Sequence, residues 1–511
     1  MVDTTGSDGQ EESIPSAPVG EVLLYGEIIP LKVHEQLTLE VWENPIDPIT
    51  HNPAMEYSKI PLQSGTLKTG NPGAYWFNRS IPLDHPAYLS LQAGEVQLIR
   101  ELLLFPGDSV MFQWDERSSQ LAFAGPAKDW ISLQQALSIL SQSESLQNPI
   151  IIHSLNPSEM FGDAGEMQGY AESQKSSFSR QVSLWKVDPA EMLRELKDAL
   201  ATKKYQPLAS LDLIESYSGR IPDARLDLLA AEQTSKAWKH YWVLLQSLRR
   251  YTEKDPAVEQ ELKAFFETSL LDFNPAEHLP GRIYAPAYLE MNYEKVRLMQ
   301  ALFQKDPLAI IPELFQGVEK ERMLAKHLFR TFPASKLGFQ DAMNLIADFQ
   351  DLNLKASVAD FLAPFAPDTP VDGSGFISQE GDTIGLDQFK GKTVLVHFWF
   401  TGCKASSAFY STVLKELSQD YPGQEDFRIV SVSVDSSPKV WSHGLSTGKY
   451  SDPEWLQLNV GDIGSFHPFL KTYGIYAYPH VMLIDKEGKL VQSGGFERNV
   501  NHLISEIEAV R

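Results

Sequence analysis

The apolar residues of this 511-residue chain change their spacing twice along its length, and that change constrains the fold more than any single motif. From about Val22 to Phe123, short runs at 22–25, 37–42, 74–77, 88–91, 109–114 and 120–123 follow a period of two, with Pro82, Pro86, Pro106 and Gly107 between them. A period of two places alternate side chains on opposite faces of a strand, so residues 19–126 are expected to form an antiparallel, sandwich-like or barrel-like β domain. The polar, acidic stretch 1–18 ahead of it lacks the apolar surface needed to offset the entropy of ordering and is expected to be a flexible tail.

The period then becomes helical. Leu193, Leu196 and Leu200, and later Trp238, Tyr241, Trp242, Leu245 and Leu248, recur at three- and four-residue spacings. The pairs Asp188-Pro189, Asp255-Pro256 and Asp306-Pro307 put proline in a first helical turn, where its missing N–H costs nothing. Residues 127–362 are therefore expected to form a segment of roughly six to ten helices. The Pro- and Gly-dense stretch 363–375 reads as a semi-rigid linker. Beyond it, continuous apolar runs at 393–400, 428–434 and 480–484 alternate with helical stretches at 407–419, 463–473 and 500–510. Runs of this kind suit strands covered on both faces, so residues 376–511 are expected to be an α/β domain.

Charge and sulfur narrow the function. With 44 basic and 67 acidic residues the net charge is −23, a field that repels phosphate backbones, so no nucleic-acid partner is expected. No run approaches the roughly 18 apolar residues of a membrane-spanning helix. The densest, 394–400, is interrupted by His397. Cys403 is the single cysteine, which excludes an intrachain disulfide, an iron–sulfur cluster and a multi-cysteine zinc site; no metal or organic cofactor is expected. The first residues have neither the basic nor the apolar region of a signal peptide and read as a solvated leader.

Four stretches occur in an order that carries a resemblance: 389–403, which ends in Thr401-Gly402-Cys403; Val432-Ser-Val-Asp435; Tyr473-Gly-Ile475; and Tyr478-Pro479 followed by 481–485. On these, residues 376–511 resemble the thioredoxin-fold domain of bacterial thiol–disulfide oxidoreductases of the TlpA and ResA type. The resemblance implies that Cys403 is a nucleophile at a strand-to-helix turn, where free N–H groups and the helix dipole stabilise a thiolate. The family's Cys-x-x-Cys motif reads Cys403-Lys404-Ala405-Ser406 here. The resolving thiol is thus replaced by a hydroxyl that cannot attack a mixed disulfide. Lys404 and Ser406 are the candidates for tuning Cys403, Ser406 by a hydrogen bond to the thiolate or, alternatively, simply as a helix cap. His397 stands six residues before the thiol as a candidate proton relay, its other reading being a hydrogen-bonded core histidine. Tyr478 and Pro479 match the cis-proline loop that pairs with client peptides. Trp399 is a further candidate contact, with core as its other reading.

Two competing motifs fall away. A peroxidatic cysteine wants threonine three residues before it, where this chain has Phe400, and Gly391-Lys392-Thr393 lacks the glycine at Leu386 that a phosphate-binding loop needs. The first domain resembles the β-rich module that often precedes such thioredoxin domains in envelope proteins, on the strength of 104–110 and 121–125. The expected function is a monothiol thiol–disulfide oxidoreductase or isomerase of the cell envelope or periplasm, with a membrane-anchored precursor and a cytoplasmic setting both left open. Its substrates would be protein or small-thiol disulfides, resolved by an external thiol reductant. The alternative is a redox-inactive, chaperone-like binding protein.

Overall fold

A computed structural model describes residues 20–31, 34–43, 45–47, 55–65, 73–94, 96–118, 120–147, 150–157, 167–168, 170, 182–253, 255–420, 425–496 and 499–511. The expected tail lies outside these residues. The chain folds as two compact units, Met1–Ile46 with Ala54–Glu313, and Asp47–Pro53 with Leu314–Arg511.

Among the described residues the first unit opens with nine strands: β1 (Gly20–Ile29), β2 (Gln36–Glu43), β3 (Met55–Pro61), β4 (Gln63–Ser64), β5 (Tyr75–Leu83), β6 (Ala87–Ala93), β7 (Val96–Leu104), β8 (Ser109–Asp115) and β9 (Gln120–Ala124). They form a five-stranded sheet in the order β4-β5-β1-β8-β9 and a four-stranded one in the order β3-β2-β6-β7. In β6, alternate residues from Ala87 to Ala93 are buried, as its period of two requires. One expectation is corrected. The module is not purely antiparallel, because β1 pairs with β8 in parallel. Gly26 sits between Phe77 and Phe112, whose rings meet at 4.9 Å, and a Cβ there would lie 2.2 Å from the Phe112 carbonyl oxygen. Only glycine lets the three strands close at that point.

The helical segment begins as its caps dictate. Asp188 accepts the N–H groups of Ala190 and Glu191 at 3.0 and 3.1 Å ahead of Pro189–Ala201, and Asp255 accepts that of Val258 ahead of Pro256–Phe265. The 30-residue helix Asp223–Thr252 buries Trp238, Tyr241, Trp242, Leu245 and Leu248 along one stripe and packs against Pro286–Phe303. The segment is not all-helical, however. Strands β10 (Ile150–Ser154) and β11 (Val182–Lys186) form a parallel pair there, which short apolar runs do not distinguish from buried helix. The last helices, Gly317–Thr331, Phe339–Ile346 and Leu352–Leu362, belong to the second unit.

The stretch 363–375 is not a free connector in that unit. Phe365 packs edge-on to Phe332 and Tyr473, and Val371 is buried, its N–H donating to the Gly488 carbonyl. Two apolar side chains among the prolines anchor a segment whose composition suggests a spacer. Beyond it a seven-stranded mixed sheet forms from β12 (Phe376–Ser378), β13 (Thr383–Ile384), β14 (Thr393–Trp399), β15 (Phe427–Ser433), β16 (Leu456–Asn459), β17 (His480–Ile484) and β18 (Leu490–Ser493). Its order is β13-β12-β16-β15-β14-β17-β18, with β14, β15 and β16 parallel and β17 antiparallel to β14. All seven residues of β14 are buried: Val394, Val396 and Phe398 enter one core, and Leu395 enters the other beneath the helices that follow β14 and β18. The C-terminal ends of β14, β15 and β16 lie at one end of the sheet, and Cys403 follows the central one.

Candidate functional site

The strand β14 ends at Trp399, and the chain turns tightly through 400–403, with the Cys403 N–H donating to the Phe400 carbonyl at 3.2 Å. Gly402 adopts φ +93°, the left-handed region that a turn of this type requires at its third position. Cys403 then caps the helix Lys404–Phe409, and its Sγ accepts the Ser406 backbone N–H at 3.4 Å. That N–H is one of the donors every helix leaves unpaired at its start, so the sulfur sits where negative charge is favoured. The helix continues through a single π turn at Tyr410–Leu414 to Asp420.

The thiol is recessed, 8% exposed, and on its other side Sγ lies 3.7 Å from the Tyr478 carbonyl oxygen. The Tyr478–Pro479 peptide bond is cis. The structure thus brings together Cys403, Ser406, Tyr478 and Pro479, Cys403 and Tyr478 being 75 residues apart in sequence. The Tyr478 ring stands edge-on to Phe400 at 5.7 Å, and burial raises the pKa of its hydroxyl above the usual phenol value.

Other sequence expectations are corrected in detail. It is Cys403, not Ser406, that caps the helix, and Ser406 reaches the sulfur through its backbone N–H. The Ser406 hydroxyl is fully buried and meets no hydrogen-bond partner among the described residues. His397 is likewise fully buried against Phe409 with both ring nitrogens unpartnered among the described residues, so it is not the hydrogen-bonded core histidine that its parity suggests. Burial pushes its pKa down to about 3, which keeps the ring neutral near pH 7. Trp399 is no contact for a client: it is fully buried, stacked on Tyr450 at 4.8 Å, and its indole N–H donates to Ser431 Oγ at 2.8 Å. Lys404 is exposed on the first helical turn.

Sequence reasoning missed the residues that hold the turn. Asp435, just past β15, accepts the Thr401 N–H at 3.2 Å and the Thr401 hydroxyl at 2.7 Å, and also takes the Ser433 hydroxyl at 2.8 Å. The Tyr450 hydroxyl accepts the Gly402 N–H at 2.9 Å. Asp435 closes the matched stretch Val432-Ser-Val-Asp435, but nothing in the sequence reveals a partner 34 residues away. Among the described residues no group of three or more His, Cys, Asp or Glu is placed to hold a metal ion.

The thioredoxin-like family matches residues 391–490. The thiol-disulfide oxidoreductase ResA of Bacillus thuringiensis subsp. konkukian is 28% identical over 113 residues, covering 22% of this chain and 60% of that protein. ResA of Bacillus anthracis is 22% identical over 175 residues, 34% of this chain and 88% of the relative. Among solved structures, the thioredoxin domain of a thiol-disulfide oxidoreductase from Bacteroides vulgatus is 27% identical, with TM-score 0.25 and coverage of 29% of this chain and 99% of that one. A thiol:disulfide interchange protein from Bacteroides sp. is 29% identical, with TM-score 0.23 and coverage of 27% and 86%. With β14 central, a thiol at its C-terminal turn and a cis-proline loop beside it, the C-terminal part of this chain is a thioredoxin-like domain similar to those of the TlpA and ResA type.

Proposed function

We propose that this protein carries out thiol–disulfide exchange through Cys403 alone. The observation that carries the proposal is the placement of Sγ between the Ser406 backbone N–H at 3.4 Å and the Tyr478 carbonyl at 3.7 Å: one stabilises a thiolate, the other accepts a hydrogen bond from the S–H of the resting thiol. The Cys403 thiolate attacks one sulfur of a client disulfide. The client S–S bond breaks as the Cys403–client bond forms, and the second client sulfur leaves as a thiolate that takes a proton from solvent. Ser406 cannot resolve the adduct. A second thiolate must attack it: a client thiolate attacking the client sulfur forms a new client disulfide and releases Cys403, which is isomerisation, whereas two thiols of an external reductant acting in turn release first the reduced client and then Cys403 and become a disulfide themselves, which is net reduction.

The surroundings favour a polypeptide client. Phe400, Val440, Ile463 and Phe466, each 38–52% exposed, lie on the segments that leave the three parallel strands at the thiol's end of the sheet: Phe400 after β14, Val440 on the helix Pro438–Ser446 after β15, and Ile463 and Phe466 after β16. Apolar side chains beside a reactive sulfur suit an extended chain with its cysteine between hydrophobic residues. The resemblance to ResA supports a role in the cell envelope, where the β-rich domain would recruit clients; among the described residues no helix is long and apolar enough to cross a membrane. The test is incubation of the folded protein with a cystine-linked apolar peptide, followed by mass analysis. A mixed disulfide on Cys403, absent in Cys403→Ala and discharged only by added thiol, is expected. No adduct would leave a thioredoxin-shaped binding module.

A further inference from the structure

We propose that Asp435 and Tyr450 are positioning residues for the thiol, clamping the turn so that Cys403 can cap its helix; this rests on Cys403 being the reactive group. In a free turn the two central N–H groups face water. Here both are taken from outside the turn: Thr401 N–H by the Asp435 carboxylate at 3.2 Å and Gly402 N–H by the Tyr450 hydroxyl at 2.9 Å. The third, Cys403 N–H, closes the turn on Phe400, and Ser406 N–H, three residues further on, falls to the sulfur.

The clamp is itself held. Tyr450 lies 5° from parallel with Trp399, the last residue of β14, and is 7% exposed. The Asp435 carbonyl accepts the Asn459 side-chain N–H at 2.8 Å, and its carboxylate takes the Ser433 hydroxyl. Gly444, on the helix Pro438–Ser446 between the two clamp residues, lets that helix approach: a Cβ there would stand 2.3 Å from Thr401 Oγ1 and 3.0 Å from the Trp399 ring. Two groups 15 residues apart in sequence thus fix two adjacent peptide units beside the thiol, an arrangement that core packing alone does not require.

Among the described residues, the charged and titratable groups on the elements that meet at the thiol include Lys404 on its own helix, His397 on β14, Asp435 after β15, Tyr450, Tyr478 before β17 and His480 at its start. This sets the sign of the test. Removing the Asp435 charge alone favours a nearby thiolate and moves the pH profile of Cys403 alkylation down; losing the clamp frees Sγ from Ser406 N–H and moves it up. The full chain is alkylated with iodoacetamide across pH 4 to 10 as wild type, Tyr450→Phe, Asp435→Leu and Asp435→Asn. Tyr450→Phe keeps the stack on Trp399 and removes only the acceptor, so its profile is expected to rise by about half a pH unit, roughly a threefold loss of thiolate at a given pH. Asp435→Leu is expected to rise despite losing a negative charge. Asp435→Asn, which retains an acceptor for Thr401 N–H, is expected not to rise. If the wild-type thiol reacts while Tyr450→Phe superimposes on it, or Asp435→Leu moves down, the clamp is overturned. A wild-type thiol that reacts only after unfolding overturns the reading of Cys403 as the reactive group, and this proposal with it.

Discussion

The two sides of Cys403 are built to different standards. On the turn, backbone donors are claimed one by one: Thr401 by Asp435, Gly402 by Tyr450, Cys403 by Phe400. Beneath the helix, the Ser406 hydroxyl and both nitrogens of His397 are buried with no partner among the described residues. Buried polar atoms without partners cost stability, and proteins keep few of them. The difference teaches that this site's order comes from the turn inward, while the space under the helix carries polar groups that the fold itself does not use.

The largest effect should come from filling that space with sulfur. Ser406→Cys restores a resolving thiol one helical turn from Cys403, and in a single turnover of the pre-reduced protein without external thiol the release of reduced peptide from a cystine-linked peptide, with formation of a disulfide between the two protein thiols, should be faster by on the order of tenfold or more. An unchanged rate would mean that the thiols do not communicate and would remove the contrast between the two sides. Next comes the turn. Gly444→Ala drives a methyl group to within 2.3 Å of Thr401 Oγ1, and overpacking of this kind costs about 1–3 kcal/mol, measurable as an earlier denaturant midpoint in tryptophan fluorescence.

The underside should show itself in acid. His397 has a folded pKa of about 3 against an ordinary value near 6.5, so between those pH values the unfolded chain binds a proton that the folded one refuses. Its contribution to stability is therefore present above pH 6.5 and lost as pH falls toward 3, by about 2 kcal/mol between pH 7 and 5. His480, held near 4 by burial, adds a loss of the same sign. Thermal unfolding at pH 7 and 5 should show a smaller pH response in His397→Leu than in wild type; an equal response would mean that His397 finds a proton-holding partner in solution. The smallest effect is expected from Thr401→Val, which removes the 2.7 Å bond to Asp435 and keeps the N–H contact: about 1 kcal/mol, read by the same fluorescence midpoint.

Local rules made much of the fold legible. The Asp-Pro pairs announce helix starts, and Asp188, Asp255 and Asp306 each accept backbone N–H groups there. The fully apolar run of β14 reads as a strand covered on both faces, and its parity puts His397 and Leu395 on the same side. What stayed hidden depends on tertiary approach. The parallel pairing of β1 with β8 joins residues more than 80 apart, and the anchoring of Phe365 and Val371 needs surfaces supplied by distant segments. At the site, Cys403 and Pro479 announce themselves by motif. Tyr450 does not, because an ordinary tyrosine becomes part of the turn only once β14 and the helix Pro438–Ser446 have packed.

The most direct test of the account compares Cys403 with itself. The rate of its reaction with iodoacetamide at pH 6 is measured in the folded protein and in the same protein unfolded in urea. A thiolate stabilised by the helix N-terminus should react about tenfold faster when folded, although the sulfur is only 8% exposed. A folded rate at or below the unfolded one would contradict the account and leave the cysteine as a small buried side chain in a binding domain.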